Sequence, residues 1–213
     1  MTAEPVKSTK RRGRPPRSAD ERAEQRRRLV EGTMQGIRDV GADISIDDLA
    51  RSAGVSKPVL YDEFGGKLGI ADAIALVLAE DLEFSVLDEI ATAGVFDVDS
   101  TIGAVIDSLV GIIVREPELY AFIVRSIRVN DRGFLDNALV RVVRDRATMI
   151  VGHVAPDAPA DRVAVLTDGL FGFVFAAVES WQETRQPDRA ELVRAISTII
   201  RRGVQAVAED LSD

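Results

Sequence analysis

Cysteine is absent from the 213-residue chain, and histidine occurs once, at His153. Without thiols there can be no disulfide framework, no thiolate-ligated zinc or iron–sulfur centre and no cysteine nucleophile. A single imidazole also excludes metal sites built on clustered histidines, and any serine triad that does not use His153. The longest uncharged apolar run, Leu170 to Val178, falls well short of the roughly 18–20 residues that cross a bilayer. No apolar segment follows the basic N-terminus, so a soluble cytoplasmic protein without a secretory signal or a membrane partner is expected. Carboxylates abound, but almost all fall at surface helical positions beside arginine. Neither catalysis nor a metal nor a cofactor is therefore expected.

What the chain does contain is ordinary for a globular protein, with 46% hydrophobic and 29% charged residues. Its net charge of −8 conceals a polarity: residues 1–67 carry 14 Lys/Arg against 11 Asp/Glu, and the remainder 13 against 24. Such asymmetry suggests a basic, nucleic-acid-facing end joined to an acidic body, although a solvated charged tail on an ordinary helical protein would give the same sum.

Residues 1–19 hold three of the eight prolines and six Lys/Arg, with almost nothing to bury, and read as a flexible basic arm. A helical period then runs from about Asp20 to Val40, ended by Gly41. Ser45, three residues before Asp48, opens a short helix over 46–53. Gly54-Val55 breaks it, Ser56 can cap a second over 56–64 with Pro58 in its first turn, and Gly65-Gly66 stops that one. Further helices are expected at 67–93, 99–114, 118–128, 131–153, 160–184 and 188–210, with Pro156, Pro159 and Pro187 in the connections. The predicted fold is all-α: an arm over 1–19, a three-helix unit over 20–66, and a helical body over 67–213 in which helix 67–93 is the connector.

Two short helices around a glycine turn carry the signature of a helix-turn-helix, in which the second helix enters the DNA major groove, although any compact helical domain can contain such a corner. Leu49, Ala50, Val55 and Leu60 would set the crossing angle, and Ala53-Gly54 would permit close backbone approach. The stretch IDDLARSAGVSKPVLYDEFGGKLGIADAI resembles the DNA-binding domain of the TetR/AcrR family of bacterial transcriptional regulators. The matching positions are Leu49-Ala50, Ala53-Gly54-Val55-Ser56, Tyr61, Phe64 and Lys67, without a gap. The resemblance is specific over about residues 25–75 and architectural beyond. The chain departs from the family at Pro58, where Gly, Ala or Thr is common, and at Leu68-Gly69, where an acidic pair is common.

Ser45 and Ser56, each at a helix start, suit phosphate oxygens. Tyr61, by the resemblance, would set its phenol on the DNA backbone. Lys67 begins a helix, where the macrodipole disfavours a cation, and so suits a phosphate as well. Lys57 and Val59 would read base edges, guanine O6/N7 and a thymine methyl respectively, and Pro58 would alter which bases are read. In the arm, Arg12-Gly13-Arg14-Pro15 resembles the core of an AT-hook, a segment that lies in the narrow minor groove of A·T tracts.

The resemblance implies a small-molecule effector and a homodimer for the body. Apolar candidates for a ligand cavity are Phe84, Leu109, Ile113, Tyr120, Ile123, Phe171 and Phe175, with Arg125 and Glu179 as polar orienters, whereas His153, near a helix end, is expected to cap it or face solvent. Phe173, Ala177, Trp181, Ile196, Ile200 and Val204 on the last two helices would pair two subunits. The leading function is a repressor that binds a palindromic operator in double-stranded DNA as a dimer and is released by a small apolar effector. The alternative is an architectural DNA-binding protein that uses the arm without a defined operator. Sequence does not separate repressor from activator.

Overall fold

The computed structural model describes residues 18–93, 98–129, 138–154, 156 and 158–210. Arg12 and Arg14 lie outside the described residues. Those described contain nine helices and no strand: α1 (Ala19–Val40), α2 (Ile46–Ser52), α3 (Lys57–Phe64), α4 (Lys67–Ala93), α5 (Val98–Arg115), α6 (Pro117–Val129), α7 (Ala138–Val154), α8 (Ala160–Thr184) and α9 (Arg189–Asp210). The expected helix over 131–153 is described only from Ala138. The chain breaks between α5 and α6 at Glu116, and Pro117 is the first residue of α6, where a first-turn position loses nothing by lacking an N–H.

Helix α1 starts where Ser18 and Glu21 cap each other: the Ser18 hydroxyl accepts from Glu21 N at 3.1 Å, and Ser18 N donates to Glu21 Oε2 at 2.9 Å. Its buried face, Leu29, Val30, Met34 and Ile37, meets Leu49 and Ala50 of α2 and Leu60 and Phe64 of α3. The close backbone approach falls on Ala53, as expected, but not on Gly54. Gly54 has open space around it and serves the turn, with φ at +67°. It is Gly32 of α1 that faces the end of α2, where a Cβ would fall 2.7 Å from Ala53 Cα. One turn on, a Cβ at Gly36 would fall 2.6 Å from Ser52 Oγ. A glycine pair at i, i+4 therefore lets α2 lie against α1.

Helix α4 spans 27 residues, or about 40 Å. Its first turns pack on α1 and α3, and its later turns on α5, α6 and α7. Ile70, Ile74, Leu78, Leu82 and Val86 are buried along its length, so one core runs from α1 to α9 without a break. The second contact between the two ends of the molecule is made by α6, which packs on α1 and α4.

Helices α8 and α9 are amphipathic in an unusual way. Their inner faces bury Phe171, Val174, Val178 and Trp181 on α8, and Leu192, Ile196, Ile200 and Val204 on α9. Apolar and small residues also line the outside: Val165, Gly169, Gly172, Phe173 and Ala176 on α8, with Ala195 and Ile199 on α9. By length and composition α8 is long and apolar enough to cross a bilayer, although only 22% of its most apolar stretch is buried. It nonetheless carries Asp168, paired to Arg144, and Glu179, which accepts from the Tyr120 hydroxyl.

Replacing Gly32 by alanine should force α1 and α2 apart, because its steric neighbour is backbone. Chemical denaturation should show a loss of about 1–3 kcal/mol. The control Gly103→Ala, at a site with open space, should cost much less. Equal effects would show that the α1–α2 approach is not limiting.

Candidate nucleic-acid interface

The turn between α2 and α3 is built from Ala53 to Ser56. Gly54 N donates to Arg51 O at 3.1 Å and Val55 N to Ala50 O at 3.0 Å, which closes α2. Leu49 and Leu60 are fully buried across the turn and hold the crossing of the two helices. At its far end α3 stops on Gly65, in the left-handed region at φ +72°. Arg26 of α1 pins that end: its guanidinium donates to Glu63 O at 3.2 Å and Glu63 Oε1 at 2.8 Å, and lies 4.8 Å over the Phe64 ring. Sequence reasoning misses Arg26, which reads there as one of several charges in a basic run.

This frame leaves Ser56, Pro58 and Tyr61 exposed, with Tyr61 at 48% of its surface, and Lys57 part-exposed beside them. Ser56 stands at the cap position of α3 but its side chain makes no capping bond, so the hydroxyl can serve a phosphate. Lys67 opens α4 and is half-buried. Three expectations change. Val59 is half-buried and packed against the core, so its methyl groups are less accessible than the exposed ring of Pro58. The Ser45 hydroxyl is engaged locally, donating to Asp48 Oδ2 at 2.6 Å while accepting from Asp48 N at 3.1 Å. Lys57 Nζ lies 3.2 Å from the Asp47 carboxylate, so the free protein carries a neutralised pair where a cation was expected. Hydrogen bonds from Ser45 and then Arg51 hold the Asp48 carboxyl below its ordinary range.

In the body, Leu109, Ile113, Tyr120, Ile123, Phe171 and Phe175 come together around a void of about 30 Å³. A second void of about 50 Å³, bounded by α5, α7, α8 and α9, adjoins it through the shared side chains of Leu109, Val143 and Phe171. The polar end of the smaller void is Tyr120, whose hydroxyl donates to Glu179 Oε1 at 2.9 Å. Two expected members are elsewhere. Phe84 is 72% exposed, on the outer side of α4. Arg125 turns from the void to Asp43, at 2.5 Å. His153 is exposed near the end of α7. A more polar cleft of about 400 Å³ opens between α7 and α8 around Arg144, Thr148 and Thr167, where the Arg144 charge is balanced by Asp168.

Of the residues expected to pair subunits, Phe173 is 37% exposed, and Ala177 is half-buried. Trp181, Ile196, Ile200 and Val204 are instead buried within the chain. Trp181 donates its indole N–H to Pro187 O at 2.7 Å, and Ile200 and Val204 line the larger void. The outward apolar residue of α9 is Ile199, at 54% exposure.

Residues 29–74 match the family model for bacterial regulatory proteins of the tetR family. An uncharacterized HTH-type transcriptional regulator of Mycobacterium tuberculosis strain H37Rv is 30% identical over 148 residues, covering 68% of this chain. That match spans 62% of the relative's own length. Among solved structures, a tetR-family transcriptional regulator from Streptomyces coelicolor superposes with a TM-score of 0.64 at 21% identity, covering 89% of this chain and 86% of the other. RolR in complex with resorcinol gives 0.66 at 17% identity, covering 92% and 96%. These structures share the fold.

Lys57→Ala should weaken binding to a cognate duplex by about 1–3 kcal/mol, the range for one base contact. Asp47→Asn should strengthen binding to all duplexes, because it removes the charge that neutralises Lys57. Fluorescence anisotropy at fixed salt measures both. Unchanged affinity for Lys57→Ala would remove Lys57 from the interface.

Proposed function

We propose that the chain is a cytoplasmic repressor of the TetR family of bacterial regulatory proteins, whose model residues 29–74 match, and that it binds a palindromic operator as a homodimer and is released by a small apolar effector. The observation that carries the effector half of this proposal is the double role of α6. One side of that helix, Tyr120, Ile123 and Val124, lines the smaller void. Its start and its other side hold the DNA-binding unit. Arg38 of α1 donates to both oxygens of Glu116, at 2.7 and 2.9 Å, just ahead of α6. Ala42 N donates to Glu118 Oε2 at 2.8 Å, and Arg125 pairs with Asp43. The hydrogen bonds that Arg38 donates to Glu116 raise the arginine's pKa above its ordinary value.

The voids, at about 50 and 30 Å³, are far below the roughly 300–1,000 Å³ of sites that enclose a ligand. An effector that occupies the smaller void must therefore part the helices around it, and moving α6 moves the residues that grip Arg38, Ala42 and Asp43. RolR, of similar fold, holds resorcinol, which supports a small ligand in such a body. Helix α4, packed at both ends of the molecule, is the second route for the same displacement.

The homodimer is supported by the outward stripes of α8 and α9. Val165, Gly169, Gly172 and Ala176 recur at helical spacing, and small residues let a second copy approach closely. Two such helices per subunit form an isologous four-helix contact. We assign this face to a second copy rather than to lipid, because Asp168 and Glu179 tie α8 to its own chain.

The test begins with selection of genomic duplexes by the purified protein, followed by a thermal-shift screen of apolar compounds. A stabilising compound should weaken operator binding by about 5- to 150-fold, the span of a typical 1–3 kcal/mol coupling. Arg38→Ala should keep the thermal shift but shrink the loss of operator affinity. Phe173→Asp with Ile199→Asp should give a monomer by light scattering with unchanged helix content. A stabilising compound that leaves operator affinity unchanged would overturn the effector proposal. A dimer that survives the double substitution would overturn the assigned interface.

A further inference from the structure

The cleft between α7 and α8 has a volume of about 400 Å³, within the roughly 300–1,000 Å³ of sites that enclose a ligand. It shares no lining residue with either apolar void. The cleft is open because the side chains that meet there are small. Gly152 of α7, Ala158 of the connection, and Ala160 and Ala164 of α8 line it, and none extends beyond Cβ to fill the gap. A Cβ added at Gly152 would meet nothing within 4 Å.

The polar groups that border this space are poorly paired. Thr167 is 1% exposed, yet the hydrogen bond between the Thr148 and Thr167 hydroxyls spans 3.5 Å. A normal O–H···O bond is about 2.7–2.8 Å long. Arg144 is paired by charge to Asp168, but its Nε is buried and has no hydrogen-bond partner among the described residues. Buried polar groups are paired in the great majority of cases, so two such residues lining one cleft point to a molecule that completes them.

We propose that this cleft binds a neutral, polyhydroxylated small molecule of about the size of one sugar ring. A hydroxyl both donates and accepts, so one placed between Thr148 and Thr167 serves both side chains. A second oxygen accepts from the Arg144 guanidinium. The charges around the cleft select against an ion. Arg144 is already balanced by Asp168, and Asp145 stands exposed on the lining. An anion there meets a carboxylate and a cation meets the guanidinium, each having lost part of its own hydration. Val163 and the alanines give the C–H face of a ring an apolar wall. The site needs neither DNA nor the effector voids, so it goes beyond the repressor reading.

The test is calorimetric titration and saturation-transfer NMR on the full chain without DNA. Glucose, ribose and myo-inositol are the neutral probes, and glucuronate and glucosamine the charged ones. At least one neutral probe should bind saturably, and both charged probes should bind about tenfold more weakly or less. Thr167→Val keeps the shape of the side chain and removes its hydroxyl. It should weaken the bound probe about tenfold, the scale of one hydrogen bond. Gly152→Leu puts a side chain into the cleft and raises helix propensity at the same position. It should abolish binding while helix content and melting temperature are kept or raised. Binding that Gly152→Leu retains would place the probe elsewhere and overturn the site. Preference for a charged probe would overturn the ligand class. No saturable binding of any neutral probe, with the cleft holding solvent only, would overturn the proposal outright.

Discussion

A net charge of −8 opposes the DNA binding proposed for this protein, and much of the architecture keeps acid away from the candidate interface. The surplus of carboxylates lies beyond residue 67, on the body that α4 holds away from the recognition helix. Three carboxylates near the DNA face are engaged. Asp48 is tied to Ser45 and Arg51, Glu63 to Arg26, and Asp47 to Lys57. Screening limits the long-range repulsion from the body, since charges beyond about 10 Å interact weakly at 0.1 M salt. The local pairs matter more. They offset these charges locally, so in the proposed complex base contacts would count for a larger share of the affinity.

Packing within the DNA-binding unit is set by steric fit rather than charge. Gly32 and Gly36 bring α2 against α1, and Leu49, Leu60 and Ile70 fill the space so formed without exposure. Gly69 has a related role at the start of α4, where a Cβ would collide with the Phe64 carbonyl. That accounts for glycine at position 69, where the end of α3 comes so close to α4 that a side chain does not fit.

The sequence makes the helices legible, and the stops between them, because glycine, proline and capping residues act locally. Ser18-Ala19-Asp20-Glu21 even spells the capping box that begins α1. Which side of a helix faces inward is legible only where the other side is polar. On α9, Ile196, Ile200 and Val204 share one helical period, and Ala195, Ile199 and Gly203 another. Both are apolar or small, so periodicity does not say which meets the core, and the inner set reads from sequence as a subunit interface. The same ambiguity makes the exposed Phe84 read as a cavity residue. Arg125 is illegible for a different reason: its partner Asp43 is 82 positions away in the chain, and only the packing of α6 on α1 brings them together. Arg38 and Glu116, 78 positions apart, are hidden from sequence in the same way.

The contacts between α6 and the DNA-binding unit are of the kind a switch requires. Arg38, Glu116, Asp43 and Arg125 are partly exposed, and ion pairs in such settings contribute about 0–1 kcal/mol each. They are too weak to lock the two parts together, yet short and directional enough to define one arrangement. The apolar contact through α4 supplies the permanent connection, as its fully buried Ile70, Ile74, Leu78 and Leu82 leave no freedom to separate. A ligand that moves α6 then works against weak polar contacts while the core stays intact. That matches the scale on which a small apolar molecule can act, since burying one methylene is worth about 0.8 kcal/mol. Had the clamp been a buried hydrophobic seam, the same ligand could not have opened it; had there been no clamp, filling the void would have left the recognition helix where it was.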